Sequence, residues 1–260
     1  MQSQPYSQLD LVDQELKQVY LFAGLNTSQL EKVKKSMRHL LLAEGESLFE
    51  QGQRAKHFFL VREGHVKLLR LSLEGSEKVF EVIAPTQTFA EAIMFMPNSV
   101  YPVTAQAIEA SSLFAFENKV FLEILQESFD TCFRLMFHMS RRIHHWVNEV
   151  DNLTLQNATY RLINYVLYHI PHDHQGSYEF NLPIPKQVIA SRLSIKPETF
   201  SRILNNLGQE GLITVTGRTI HIHQVESLRL YGQSTLTPIE RYKIACQKLD
   251  GPLPKKPAEF

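Results

Sequence analysis

The chain has little cysteine and no net charge. Cys132 and Cys246 are its two cysteines, and its 27 basic residues balance 27 acidic ones. Two distant thiols cannot supply a disulfide framework or the ligands of an iron–sulfur cluster or a thiolate-bound zinc ion, so none of these is expected. With zero net charge, any surface that binds nucleic acid must be local.

Three further patterns are missing from the sequence. There is no basic-then-apolar leader and no apolar run of membrane-spanning length, so we expect a cytoplasmic protein without membrane contact. There is no nucleophile–base signature and no phosphate-binding glycine loop, so we do not expect an enzyme. The histidine pairs His172/His174 and His221/His223 lack carboxylate or cysteine partners at ligand spacing, and they indicate a loop and a strand face rather than a metal site.

A long apolar seam is the most regular pattern that is present. Two sets of apolar residues each recur every seven residues, over four heptads, which is the pattern of a helix that pairs with a second helix. We therefore predict a homodimer; the alternative is a long core helix in a monomer. Leu135 and its neighbours widen the seam at its start, so that part should pack on its own domain. The predicted dimer interface is Phe129, Cys132, Met136, Met139, Ile143, Trp146, Val150 and Leu153.

The region before this seam shows two different hydrophobic patterns, a helical one followed by one typical of short strands. Residues 8–40 show helical spacing, with Asn26 or Thr27 as a cap. From Leu41 to Phe116, short apolar runs alternate with glycine-containing turn signals, which indicates a barrel, roll or sandwich. The predicted strands include Phe58–Val61, Val66–Leu71, Lys78–Ile83 and Leu113–Phe116.

The region after the seam has the pattern of a helix-turn-helix. A helix from Lys186 to Leu193 is followed by a short turn, and a second helix opens at Pro197, where a missing N–H costs nothing. Leu212–Val215 and Thr219–His223 then predict a hairpin wing. In the second helix, four apolar residues share the inward face: Phe200, Ile203, Leu204 and Leu207.

Positive charge gathers in this same region. Between Asn181 and His223 there are five basic and two acidic residues, a net charge of +3 in a neutral chain, which is typical of a DNA-binding surface. Arg202 can pair with the O6 and N7 of guanine, Glu198 with a cytosine amino group, and Ser201 with a base edge. The alternative is a solvated helix face. The predicted DNA-binding residues are Lys186, Gln187, Lys196, Glu198, Thr199, Ser201, Arg202, Asn205 and Arg218.

The order of these motifs resembles a known family. The spacing of Gly45, Gly52 and Gly64 around the predicted strands is similar to that of cyclic-nucleotide-binding β-rolls, and a roll followed by a long paired helix resembles the CRP/FNR family of transcription regulators. The segment from Glu198 to Arg202 matches that family's Glu-Thr-x-Ser-Arg reading helix. The resemblance implies an α+β fold with a β-roll, a dimerisation helix and a C-terminal winged helix-turn-helix. It also implies double-stranded DNA with an inverted repeat of TTGAT-like half-sites, and RNA polymerase, as partners.

These patterns divide the chain into five predicted parts. They are a helical segment at residues 1–40, a sensor roll at 41–125, the dimerisation helix at 126–155, the winged helix-turn-helix at 156–231 and a tail at 232–260.

The predicted effector pocket departs from the cyclic-AMP-binding members of the family. Phe89, Glu91 and Tyr101 occupy its key positions, but Tyr101-Pro102 stands where those members have the Arg-Ser that pairs with the cyclic phosphate. Without that cation the phosphate would not recover its desolvation cost, so we do not expect cAMP to bind.

The pocket segment and the reading helix together resemble the family's Dnr-type branch. This resemblance implies haem as a cofactor and nitric oxide as the signal. The sequence leaves the iron ligand open among its histidines, and it has no Cys-x-x-Cys-His motif for covalent haem. Three alternatives stay open: a cyclic-nucleotide regulator of the same fold, a ligand- or metal-binding roll without a DNA role, and a cupin-like enzyme. The candidate ligands include His39, His57, His65, His138, His144 and His145.

Overall fold

The computed structural model divides the chain into two units, Met1–His144 and His145–Phe260. It describes residues 9–72, 75, 77–97, 99–155, 157–171 and 174–236, and the side chains of residues 9–13, 145 and 148–155 are outside this description. The predicted tail at 232–260 therefore lies largely beyond the described residues, and Ser234 ends the last described helix. None of the described helices is long and apolar enough to cross a membrane.

The first unit is a roll of two antiparallel sheets with helices on one side. The sheet orders are β1-β8-β3-β6 and β2-β7-β4-β5. Its strands are β1 (Arg38–Leu42), β2 (Ser47–Phe49), β3 (His57–Glu63), β4 (Val66–Leu71), β5 (Glu77–Ile83), β6 (Thr88–Phe89), β7 (Thr104–Ala107) and β8 (Ser111–Glu117). Its helices are α1 (Leu9–Gln18), α2 (Thr27–Ser36), the 3₁₀ helix Glu91–Phe95, α3 (Asn118–Glu127) and α4 (Phe129–Leu155), which continues into the second unit.

Two hydrophobic clusters fill this unit, and strand β3 contributes to both. Phe59 and Val61 face the space between the two sheets, where they join Phe89. Phe58 and Leu60 point to the opposite face, into the layer formed by the helices. Because side chains alternate along a strand, a strand buried on both faces is a continuous apolar run. The predicted strands from Phe58 to Leu71, at Lys78–Ile83 and at Leu113–Phe116 are all confirmed.

The helical segment predicted to run to Leu40 ends earlier. Asn26 caps α2, with its side chain accepting from Gln29 N and Gln29 bonding back to Asn26 N. The helix stops at Ser36, and Met37 is extended. Strand β1 then pairs with β8 over its whole length. In β1 the buried side chains alternate with exposed ones, which is the pattern of a strand with one covered face.

The second unit is a helix-turn-helix with a three-stranded wing. Its elements are α5 (Ala158–Tyr168), β9 (Tyr178–Asn181), α6 (Lys186–Arg192), α7 (Pro197–Gln209), β10 (Ile213–Thr216), β11 (Thr219–Ile222) and α8 (Val225–Ser234). The predicted hairpin is β10–β11, and β9 adds a third strand beside β11. The predicted α+β fold, with its roll and its winged helix-turn-helix, is therefore confirmed.

Candidate DNA interface and sensor site

Helix α7 has one buried face and one exposed face. Its inward side chains, Phe200, Ile203, Leu204 and Leu207, are between 2 and 6 % exposed. On the outer face Glu198, Ser201, Arg202 and Asn205 are exposed, and Thr199 is partly buried. Pro197 stands in the first turn as predicted. Packing of the inner face therefore fixes the orientation of α7. The polar side chains near its N-terminal end remain exposed and can contact a ligand.

The turn between α6 and α7 is hydrogen-bonded to a side chain of a third helix, α5. Ser194 adopts a left-handed φ of 53°, which is uncommon for a residue other than glycine. Arg161 of α5 donates from Nε to the carbonyl of Leu193 at 2.9 Å and from Nη2 to that of Ser194 at 3.3 Å. Burial lowers the pKa of Arg161. Sequence reasoning missed this residue, because nothing near position 161 indicates a contact with a turn more than 30 residues further along the chain.

The other predicted DNA-binding residues lie in α6, just before α7 and in the wing. Lys196 and Gln187 are exposed and Lys186 is half-buried. Arg218 is exposed at the tip of the wing, and its Nη2 donates to the carbonyl of Leu182 at 3.0 Å. This bond ties the guanidinium end of the side chain to the backbone just after β9. The other guanidinium N–H groups of Arg218 are available to a phosphate.

The histidine pairs have partners within their own unit. His221 lies 3.3 Å from a carboxylate oxygen of Glu179 on β9. The two ring nitrogens of His223 contact Gly211 O at 2.6 Å and Thr214 Oγ1 at 2.8 Å. His172 lies outside the described residues. Among those that are described, no three His, Cys, Asp or Glu side chains are grouped to hold a metal ion.

In the sensor roll, two of the predicted pocket residues are core residues. Phe89 is fully buried and stacks on Phe59. Tyr101 is 4 % exposed, stacks on Phe49 and donates its hydroxyl to His57 O at 2.8 Å. Burial raises the pKa of Tyr101 to about 12, so the phenol stays a neutral donor. Tyr101 therefore replaces a phosphate-binding arginine with a packed ring.

Glu91, the third predicted pocket residue, is the centre of a buried polar cluster. Its Oε1 accepts from Arg142 Nη1 at 2.8 Å and from the Tyr20 hydroxyl at 3.2 Å, and the same arginine donates from Nη2 to Glu81 at 2.8 Å. Burial acts to lower the pKa of Arg142, but the carboxylates of Glu81 and Glu91 outweigh it and raise the pKa. Burial, followed by the Glu91 charge, raises the pKa of Tyr20. We call Tyr20, Glu81, Glu91 and Arg142 the sensor cluster.

The sensor cluster supplies a cation that the pocket segment itself lacks. Arg142 comes from α4, 51 residues beyond Glu91, so local sequence patterns could not associate the two. The other oxygen of Glu91, Oε2, is buried without a hydrogen-bond partner. The 3₁₀ helix that carries Glu91 is preceded by Ala90, whose φ of 67° is left-handed. A polar atom without a partner and a strained backbone often mark functional positions.

The candidate haem histidines have mixed surroundings. His39 contacts Ser112 Oγ at 2.8 Å, and His65 contacts Glu109 at 2.6 Å. His57 is partly buried and His144 is exposed, whereas the side chain of His145 lies outside the described set. His138 stacks on the Tyr20 ring, with centroids 3.4 Å apart, beside the sensor cluster. Burial, and then the charge of Arg141, lowers the pKa of His138, which favours the neutral imidazole.

The predicted dimer residues divide between two faces of α4. Phe129, Met136 and Ile143 are 86, 54 and 63 % exposed. Cys132 and Met139 are partly buried against the helical layer of their own unit. Trp146 is partly exposed, and the side chains of Val150 and Leu153 lie outside the described residues. The exposed apolar face is widened by Phe133, Phe137 and Val147.

Comparisons with known proteins cover both units. Residues 40–128 match the family described as Cyclic nucleotide-binding domain, and residues 160–231 match the Crp-like helix-turn-helix domain. The chain is 27 % identical over 186 residues to the transcriptional activator protein FnrA of Stutzerimonas stutzeri, covering 70 % of this chain and 75 % of that protein. It is 24 % identical over 208 residues to the cyclic AMP receptor protein of Thermus thermophilus, covering 80 % and 94 %.

A solved structure gives a further match within the first unit. The sensor domain of the transcriptional regulator DNR from Pseudomonas aeruginosa is 37 % identical, covers 54 % of this chain and 93 % of that domain, and has a TM-score of 0.50. With a cyclic-nucleotide-binding-type roll, a Crp-like helix-turn-helix and relatives that are transcription regulators, the chain belongs to the CRP/FNR family of transcription regulators.

Proposed function

We propose that this protein is a homodimeric regulator that reads an inverted repeat in double-stranded DNA and responds to a signal bound by its β-roll. The observation that supports this most is the outer face of α7, where Glu198, Ser201 and Arg202 are exposed above a fully packed inner face. The protein acts in the cytoplasm on promoter DNA, together with RNA polymerase.

The reading face suits the major groove. The N-terminal end of a recognition helix meets base edges, while basic side chains around it meet phosphates. Arg202 offers a two-pronged donor to guanine and Glu198 accepts from cytosine. Lys186 in α6, Lys196 before α7 and Arg218 in the wing would contact phosphates and add affinity that does not depend on sequence.

The dimer rests on the exposed apolar face of α4. Helix α4 is 27 residues long, and the exposed Phe129, Met136 and Ile143 follow one another at heptad spacing. A strip of large apolar side chains along a helix, left uncovered by the chain's own core, is typical of an interface with a second helix. In a two-fold dimer the same strip meets its copy, which explains why one helix can supply both halves.

The sensor cluster connects the roll to this helix. Arg142 lies on α4 between the exposed positions and holds Glu91 of the 3₁₀ helix and Glu81 of β5. A signal that changes the surroundings of Glu91 therefore changes the anchoring of α4. It shifts the population of dimer geometries only as far as it binds one of them better than the other.

We propose that nitric oxide is this signal and that the protein detects it through bound haem. The resemblance to the Dnr-type branch and the 37 % identity to the DNR sensor domain support it. Bound haem would supply an iron atom that takes up nitric oxide. His138 fits the role of iron ligand because its neutral imidazole lies beside the sensor cluster. The polar partners of His39 and His65 make these two residues poorer candidates.

The first prediction concerns the dimer. Substituting Met136→Asp together with Ile143→Asp places charge in the proposed interface, and we expect the protein to sediment as a monomer. The matched control is Gln126→Asp with Gln233→Asp, two exposed helical positions away from this face, and it should remain dimeric. A dimer of unchanged mass in the first variant would contradict the interface.

The second prediction concerns DNA reading. Arg202→Ala should cost about 1–3 kcal/mol on the cognate site and relax the preference at one base pair of each half-site. Lys196→Ala should instead weaken binding to all sequences alike and reduce the salt dependence. Selection of binding sites from random DNA measures both effects. If wild type and Arg202→Ala select the same sequence, or if the selected site lacks an inverted repeat, α7 is not the reading helix.

The third prediction concerns the sensor cluster. Arg142→Gln leaves two carboxylates without their cation, and we expect the free energy of unfolding in urea to fall by about 2–3 kcal/mol, since Arg142 is one-third exposed. Adding Glu91→Gln to this variant should recover part of the loss. The DNA affinity without signal should also change in Arg142→Gln. Additive losses in the double variant would show that Glu91 and Arg142 are not coupled.

The fourth prediction concerns the effector. Haem added to the purified protein should give a Soret band that shifts with nitric oxide, and His138→Ala should alter that band, whereas His65→Ala should not. cAMP in a calorimeter should show no saturable binding, because the pocket segment has no cation and Arg142 is occupied by Glu81 and Glu91. A spectrum without a Soret band, or micromolar binding of cAMP, would exclude the proposed signal.

A further inference from the structure

A cavity of about 560 Å³ opens at the start of α3, in the first unit. Its volume is that of a small-molecule site rather than of a protein groove. The residues that line it differ from the sensor cluster. The charged and polar residues among them are Arg38, Arg54, Lys56, His57, Ser99, Glu117, Asn118 and Lys119.

The cavity is strongly basic in a chain of zero net charge. Two arginines and two lysines line it, and the single carboxylate among the lining residues is that of Glu117. Glu117 lies 3.9 Å from Arg38, which is a long ion pair between two exposed groups. Within the described part of the chain, Arg54, Lys56 and Lys119 have no carboxylate at ion-pair distance. Three cations around one concave space attract an anion, and the low-dielectric walls strengthen the attraction.

The backbone around the cavity adds to this field. Helix α3 is 10 residues long, and no side chain caps its N-terminus. The dipole of the helix therefore adds positive potential at the point where Lys119 stands. The loop opposite is fixed, because Asn118 N donates to Lys56 O at 2.9 Å and Ala55 N donates to Ser99 O at 2.6 Å.

Asn118 is the second, independent feature that indicates a ligand. Its side chain is 7 % exposed, and its Nδ2 donates to Ala55 O at 3.2 Å. The other end of the amide, Oδ1, is buried without a hydrogen-bond partner. A buried acceptor without a partner costs about 1–3 kcal/mol, and a small rotation of the Asn118 amide toward the cavity would let a ligand donor recover it.

We propose that this cavity binds a small phosphate ester that also carries a hydroxyl or amino donor, which is the chemistry shared by sugar phosphates and nucleotides. Lys56, Lys119 and Arg54 hold the phosphate near the start of α3. Asn118 Oδ1 accepts from the donor group. The site is separate from the DNA-reading face and from the signal at Glu91, so it gives the roll a second input.

The test is calorimetric titration of the full-length protein with four probes: ADP, ribose 5-phosphate, inorganic phosphate and adenosine. ADP and ribose 5-phosphate distinguish the nucleotide from the sugar phosphate as the better ligand. We expect saturable binding of at least one of them at one per chain, weaker binding of inorganic phosphate because it lacks the sugar's hydroxyl donors, and none of adenosine.

Two matched double variants locate the binding. Lys56→Gln with Lys119→Gln should weaken it by about tenfold or more, because two charge-assisted contacts are lost. Lys17→Gln with Lys35→Gln removes the same charge from exposed helical positions outside the cavity and should change the affinity by less than about twofold. All four side chains are exposed, so both proteins should fold.

Several results would overturn the proposal. They are no saturable binding of ADP or ribose 5-phosphate up to about 10 mM, the same loss of affinity in both double variants, and binding of adenosine as tight as that of ADP. A glutamate-rich peptide that binds the cavity when neither phosphate ester does would also overturn it, because the partner would then be an acidic protein segment.

Discussion

The pairing of β3 with β8, two strands buried on both faces, is the constraint on which the first unit depends. On one side Phe59, Leu113 and Ala115 close the space between the sheets, and on the other Phe58 and Phe116 receive the helices. A shift of one residue in this pairing would exchange the two faces and misplace both clusters. The register is therefore fixed by packing on each side at once, and the strand and helices that carry the sensor cluster are positioned against it.

Much of this architecture could be read from the sequence because its signals are local. Strands buried on both faces produce unbroken apolar runs, and α7 shows its inner face by helical spacing alone. The start of β1 was misassigned to a helix because Leu30, Val33, Met37 and Leu40 happen to keep helical spacing across the boundary. Strand β9 was missed because it has only four residues and pairs with β11, which comes later in the chain. Helix α8 was also missed.

The parts that could not be predicted are the long-range polar contacts. Arg142 lies off the apolar seam, and its two carboxylate partners are 51 and 61 residues away in sequence. Arg161 bonds backbone carbonyls, which carry no sequence signal at all. The sequence also could not show which seam residues are covered by their own unit. Cys132 and Met139 pack against that unit's core, so the uncovered face of α4 is centred on Met136 and Ile143.

The ion pair between Glu91 and Arg142 has an evolutionary consequence. Glu91 is almost completely buried, and one of its oxygens depends on the guanidinium of a distant helix. Substituting Arg142 alone leaves the buried charge of Glu91 without its cation, against a total stability of only about 5–15 kcal/mol for a typical domain. Arg142 would still have Glu81 if Glu91 were substituted first. Descendants of this chain can therefore lose Arg142 without a weakened intermediate only if Glu91 changes before it or together with it. Once acquired, the pair therefore restricts which effectors the roll can later evolve to bind.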